Sequence, residues 1–157
     1  MSQSSNDQLR ELQGLLKKEK QEDLLKYEKK MSGSSFKQRR EMGVLWYPVL
    51  VDETKFDAGE RLLVKVFRTP EHKQSHSFQS GKLVNLFLNN DANSGDVNGV
   101  INQVKETHMV ITLNCDEVPS WIERGGLGVQ LLFDENTYRE MEFALKFLIE
   151  SIDFSLN

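Results

Sequence analysis

Apolar residues recur at helical spacing at the start of the chain, at alternate positions through its middle, and at helical spacing again at its end. Leu9, Leu12, Leu16, Leu24, Tyr27 and Met31 fall on one stripe, interrupted by the charged run Lys17 to Asp23. The pattern predicts a helix of about 24 residues, about 36 Å long, capped by Asn6 or Asp7. Residues 1–5, Met-Ser-Gln-Ser-Ser, are expected to be a disordered N-terminus. So narrow a seam does not hold a helix alone and requires a partner. Ser32-Gly33-Ser34-Ser35 stops the first helix. Ser35 is placed to cap a second, Phe36 to Met42, and Gly43 to end it.

After Gly43 the period changes to two. Val44 to Val51 reads as a strand, with Pro48 at an edge or a bend. Asp57-Ala58-Gly59-Glu60 is a turn, and Arg61 to Arg68 a second strand. A polar loop, 69–80, leads to a third strand at Leu83 to Leu88. Asn89 to Asp96 forms a loop, and Val97 to Val104 with His108 to Leu113 forms a hairpin. A loop containing Pro119 and Trp121 precedes a last strand, Gly128 to Phe133. Six short strands with close turns predict a small closed barrel, since closure removes edges that would pair with other chains.

Asp134 offers a cap for a final helix. Tyr138, Met141, Leu145, Leu148 and Ile152 run 3-4-3-4, the spacing of a coiled-coil seam. Phe143, Phe147 and Phe154 lie on another face and lack a partner within the chain, which marks them as candidate docking residues. The expected fold class is α+β with a mainly β core: a six-stranded barrel on an antiparallel two-helix stalk. Its parts are a disordered 1–5, N-terminal stalk helices at 6–43, a barrel at 44–133 and a C-terminal stalk helix at 134–157.

Charge strengthens the pairing. Residues 10–40 hold ten Lys/Arg against five Asp/Glu, whereas 134–157 hold two against six. A basic first helix and an acidic last helix attract when brought side by side. The 157 residues carry a formal charge of -4, so the average composition gives no argument for nucleic acid. The single cysteine, Cys115, excludes an internal disulfide framework and a multi-cysteine metal site. No apolar run suits a membrane span, and a cytoplasmic setting is expected.

Catalytic motifs are missing. Ser80-Gly81-Lys82-Leu83 brushes against a phosphate-binding loop, but His76 stands where the first glycine belongs and Leu83 where Ser or Thr would hold magnesium. His72 and His76 are four apart in a loop, with no further metal ligand in view. Asp116 and Glu117 are adjacent on an extended segment, so their side chains point apart. No catalytic residue, metal site or cofactor is expected. Candidate phosphate contacts are Arg39, Arg40, Lys65, Arg68, Lys73 and Lys82, because contact with phosphate needs only positive charge within reach. Trp46, Tyr47, Phe67, Phe78 and Phe87 suit base stacking in type, but strand alternation favours the core for most of them.

The order of parts carries a resemblance. Arg40-Glu41-Met42-Gly43-Val44, Gly59 to Val64, Ser77 to Leu86, and Asn98 to Ile101 through Val110 to Leu113 resemble the N-terminal region of superfamily-1 DNA/RNA helicases. That group includes the nonsense-decay helicase and the immunoglobulin-mu-binding-protein helicase. The resemblance implies a barrel on a stalk outside a RecA-like motor domain. It implies single-stranded DNA or RNA as partner, together with the motor domain of the same polypeptide. ATP and magnesium would belong to that motor, whose ATP-binding loop, magnesium-binding acid and arginine fingers have no counterpart here. The chain is therefore expected to be a piece of a longer helicase or a stand-alone relative. The alternative is a protein-interaction module, with the exposed helix face open to a homodimer.

Overall fold

The structure, a computed structural model, describes residues 2–71, 75–89 and 94–156. The chain divides into two compact units, Met1–Gly33 with Phe133–Asn157, and Ser34–Leu132. The fold is α+β, with a closed antiparallel barrel in the second unit and two long helices in the first.

The helical unit pairs α1 (Ser2–Ser32) with α3 (Asn136–Leu156). Contacts at both ends fix them as antiparallel: Asp153 receives hydrogen bonds from Asn6 and Arg10, while Tyr27 meets Phe133. The attraction between basic and acidic segments is realised in Arg10–Asp153 at 3.2 Å and in Lys20, which lies 3.4 Å from Glu135 and 3.8 Å from Glu142. Tyr138 donates its hydroxyl hydrogen to Asp23, and this bond pushes the phenol pKa up to about 12.

Two expectations need correction. The helix begins at Ser2, so residues 2–5 of the segment expected to be disordered are helical; no proline or β-branched residue there resists helix. The seam of α3 is rotated by part of a turn. Ile149 is buried and Glu142 half-buried, while Met141 and Leu148 are exposed. Tyr138, Leu145 and Ile152 remain half-buried on the paired side. Among the described residues of this unit, Leu16 and Ile149 are the buried apolar ones. Leu145→Asp is expected to destabilise the pair by about 1–2 kcal/mol, through a charge placed in a half-apolar seam. An earlier loss of helical circular dichroism on heating would report it; an unchanged melt would remove Leu145 from the seam.

In the second unit, α2 (Phe36–Glu41) starts with a capping box. Ser35 Oγ accepts from the Gln38 N–H at 3.1 Å, and the Gln38 side chain accepts from the Ser35 N–H at 2.7 Å. Gly43 follows at φ +78°, the left-handed conformation that turns the chain into β1. The strands are β1 (Leu45–Phe56), β2 (Leu62–Arg68), β3 (Leu83–Asn89), β4 (Ser94–Val104), β5 (His108–Leu113) and β6 (Leu127–Leu131). They close in the order β1-β2-β5-β4-β3-β6. β1 pairs with both β2 and β6, so Pro48 is not at an edge; its strand shifts register against β6 between Trp46 and Val49, the bend that a missing N–H permits.

Alternation sets the interior. Leu62, Val64 and Val66 of β2, Val84, Leu86 and Leu88 of β3, and Met109, Ile111 and Leu113 of β5 all point inward. The two long connections close the barrel. The 69–82 connection inserts Phe78 beside Trp46, 5.6 Å between ring centroids, at the end where β1, β3 and β5 begin. At the other end the 114–126 connection inserts Ile122, and Trp121 lies directly over Gly95. Outside the barrel, Phe36 of α2 meets Tyr47 edge-on at 4.8 Å, and Tyr47 stacks on Phe87 at 6.3 Å.

Candidate nucleic-acid interface at the barrel mouth

The antiparallel order places the starts of β1, β3 and β5 and the ends of β2, β4 and β6 at one mouth of the barrel. Arg68 ends β2 there and Lys82 precedes β3. Arg68 shares the face of Leu62, Val64 and Val66, so its side chain follows the parity of the interior. A guanidinium in that position escapes an apolar environment only at the open end. It lies over the Trp46 ring with Cζ 4.9 Å from the centroid, an arrangement the indole's electron-rich face stabilises. Burial draws the Arg68 pKa down, and Glu106 acts in the opposite direction.

Arg40 reaches the same place from α2. Its guanidinium donates to the Tyr47 carbonyl at 3.0 Å. Arg40, Gly43, Trp46, Arg68, Ser75 and His76 surround a cavity of about 10 Å³, close to the volume of one water. His76 packs edge-on against Trp46 at 5.5 Å and touches Phe78. Trp46 and His76, both lining residues, each carry a buried polar atom, Nε1 and Nδ1, without a hydrogen-bond partner among the described residues.

Burial, and then the Arg68 charge, hold His76 below the usual histidine range. The unfolded chain therefore binds this proton at a higher pH than the folded one. The stability contributed by the neutral ring is complete above about pH 6.5 and falls as the pH drops through the folded pKa. The barrel should thus melt at a lower temperature at pH 5 than at pH 7. His76→Gln should flatten that part of the profile; an identical pH dependence would exclude His76 as its source.

The other candidate residues separate. Arg39 is engaged within α2, where Nε donates to Ser34 Oγ at 3.0 Å and the guanidinium covers the Phe36 ring. Lys65 lies opposite Glu53 on the outer wall, beside an open groove of about 340 Å³. That groove also carries Lys55, Asn102, Gln103 and His108, and the register shifts of β1 and β4 flank it. Its two lysines face one carboxylate, Glu53, which stands directly opposite Lys65 in the strand register and offsets part of their charge. Lys82 shares the mouth with Arg68 but does not line the cavity. Lys73 and His72 lie outside the described residues.

Of the aromatic candidates, Trp46 and Phe78 are buried, whereas Tyr47, Phe67 and Phe87 are half-buried on the outer wall. Phe143, Phe147 and Phe154 are 73%, 62% and 84% exposed, too open to be packed within the helical unit. Sequence reasoning weighed His76 only as a metal ligand beside His72, and Trp46 for base stacking or, by alternation, the core. The inward parity of Arg68 was the available signal.

Burial, and then Asp116, push the Cys115 thiol up, which keeps it protonated and unreactive. Among the described residues no group of three or more His, Cys, Asp or Glu side chains is placed to hold a metal ion. No described helix is long and apolar enough to cross a membrane. No protein-family profile matches the chain, and no curated protein does.

Proposed function

We propose that this chain is an accessory nucleic-acid-binding region of an ATP-dependent DNA/RNA helicase, which positions a single strand and leaves the motor chemistry to RecA-like domains outside it. One observation carries the reading. Arg40 and Arg68, far apart in sequence and both phosphate candidates, meet at a single mouth of the barrel. Two cations at one opening attract a polyanion and hold its backbone without reading bases.

The test is fluorescence anisotropy with labelled single-stranded DNA and RNA across a salt series. Arg40→Glu with Arg68→Glu should weaken binding by roughly tenfold or more and flatten the salt dependence by about 0.7 log unit for each phosphate no longer neutralised. Equal affinity and slope in the variant would remove the barrel mouth from the interface.

A second reading, a protein-interaction module, draws on the exposed Phe143, Phe147 and Phe154. The motor domain or a second copy of the chain would cover that face. This reading requires no oligonucleotide affinity, so the same salt series separates the two.

A further inference from the structure

The cavity between Arg40 and Arg68 has a size and a lining that select its occupant. At about 10 Å³ it has room for one oxygen-sized group. Trp46 is 3% exposed, yet its Nε1, which only donates, has no partner among the described residues. His76 Nδ1 on the same wall is also buried without one, and Thr69 Oγ1, next to Arg68 in sequence, is too. A buried N–H is normally satisfied, and no described residue supplies the acceptor for the Trp46 indole. The guanidinium groups of Arg40 and Arg68 add two positive charges, set against one carboxylate, Glu106, close enough to act on Arg68 and His76.

We propose that this cavity is a phosphate site: one anionic oxygen of a phosphate group enters it, accepts from Trp46 Nε1–H, and is held by Arg40 and Arg68, while the remaining oxygens stay in solvent. A water fits the same volume, but both cations favour a charged oxygen over a neutral one. Burial and then Arg68 lower the His76 pKa against the backbone hydrogen bonds it makes to Lys105 and Phe78, so the ring favours its neutral form and adds no further charge there. The inference deepens the nucleic-acid reading, on which it rests only for the source of the phosphate. A polynucleotide backbone and free phosphate present the same chemistry.

The test follows the two indole N–H signals of the ¹⁵N-labelled full chain by NMR, with Trp121→Phe used to tell them apart. Inorganic phosphate should shift the Trp46 signal and leave Trp121 in place, while chloride at equal ionic strength should shift neither signal. An oligothymidylate of about twelve nucleotides should produce the same shift. Arg68→Gln should weaken phosphate binding roughly tenfold, and Glu106→Gln should strengthen it several-fold. A gain in Glu106→Gln is a result that a merely structural role for these residues would not give, and it keeps the proposal testable if Arg68→Gln folds poorly.

A Trp46 signal unmoved by phosphate overturns the proposal. So does a water that stays in contact with the indole N–H at saturating phosphate. Oligonucleotide binding without a Trp46 shift overturns the cavity and leaves the nucleic-acid reading standing. A phosphate shift in a chain that binds no oligonucleotide upholds the cavity and overturns that reading.

Discussion

Ile111→Ala should lower the stability of the barrel by about 2–5 kcal/mol, the usual range for emptying a fully buried aliphatic position. Ile111 is 0% exposed on β5 and pairs with Val64 on one side and Ile101 on the other. Both neighbours are themselves buried, and the ring of strands leaves them little freedom to move into the gap. Its Cγ2 methyl also occupies the space that a Cβ on Gly99 would need, at 2.7 Å. Removing that methyl opens a gap on both sides of a tightly matched pair. Urea denaturation should show an earlier midpoint with an unchanged slope, because the same surface is exposed on unfolding. A midpoint within error of the parent would mean that the interior relaxes far more easily than the barrel suggests.

The second large effect is expected at Gly43, where Gly43→Ala should cost about 2–4 kcal/mol and weaken phosphate binding together with stability. Two separate penalties meet at this residue. The backbone stands at φ +78°, which a side chain disfavours. An added Cβ would also lie 2.8 Å from the Ser75 carbonyl oxygen and 2.9 Å from His76 Cα, both backbone atoms that cannot turn aside. The Gly43 carbonyl accepts from the Ser77 N–H at 2.9 Å, so the displaced segment is the one that carries His76 and Phe78. Thermal melts combined with the Trp46 indole signal check both halves. A stable variant with an unshifted signal would show that the turn and the cavity are independent.

Much of the architecture was readable from alternation. Leu62-Leu63-Val64-Lys65-Val66-Phe67 repeats with period two, and its first, third and fifth residues are the buried ones. His108 to Leu113 behaves in the same way, and both appear as strands over nearly the expected span. β1 runs beyond its expected end at Val51, because a register shift between Val51 and Glu53 breaks the pattern while pairing with β2 continues to Phe56. Periodicity does not register a strand that continues past a bulge.

The phase of α3 was harder for a different reason. Met141 and Leu148 fit a seam as well as Ile149 does, and the helix is too rich in apolar residues for their count to choose between rows. The choice shows in polar contacts: Lys20 of α1 reaches Glu142, and Asn6 and Arg10 reach Asp153. The barrel mouth was legible in part. Arg40 and Arg68 stood out by charge, but their meeting depends on how the ring of strands closes, which no local pattern encodes. His76 carried no signal of its own, since a histidine in a polar loop has many possible fates.

The first and last residues of the barrel segment are tied to each other. The Val44 carbonyl accepts from the Leu131 N–H at 2.8 Å and from Gln130 Nε2 at 3.1 Å. A polypeptide that enters and leaves a domain at one spot can be grafted into a hairpin, or lifted out of it, without threading or severing any strand. The stretch from Val44 to Leu131 thus has the makings of a portable cassette.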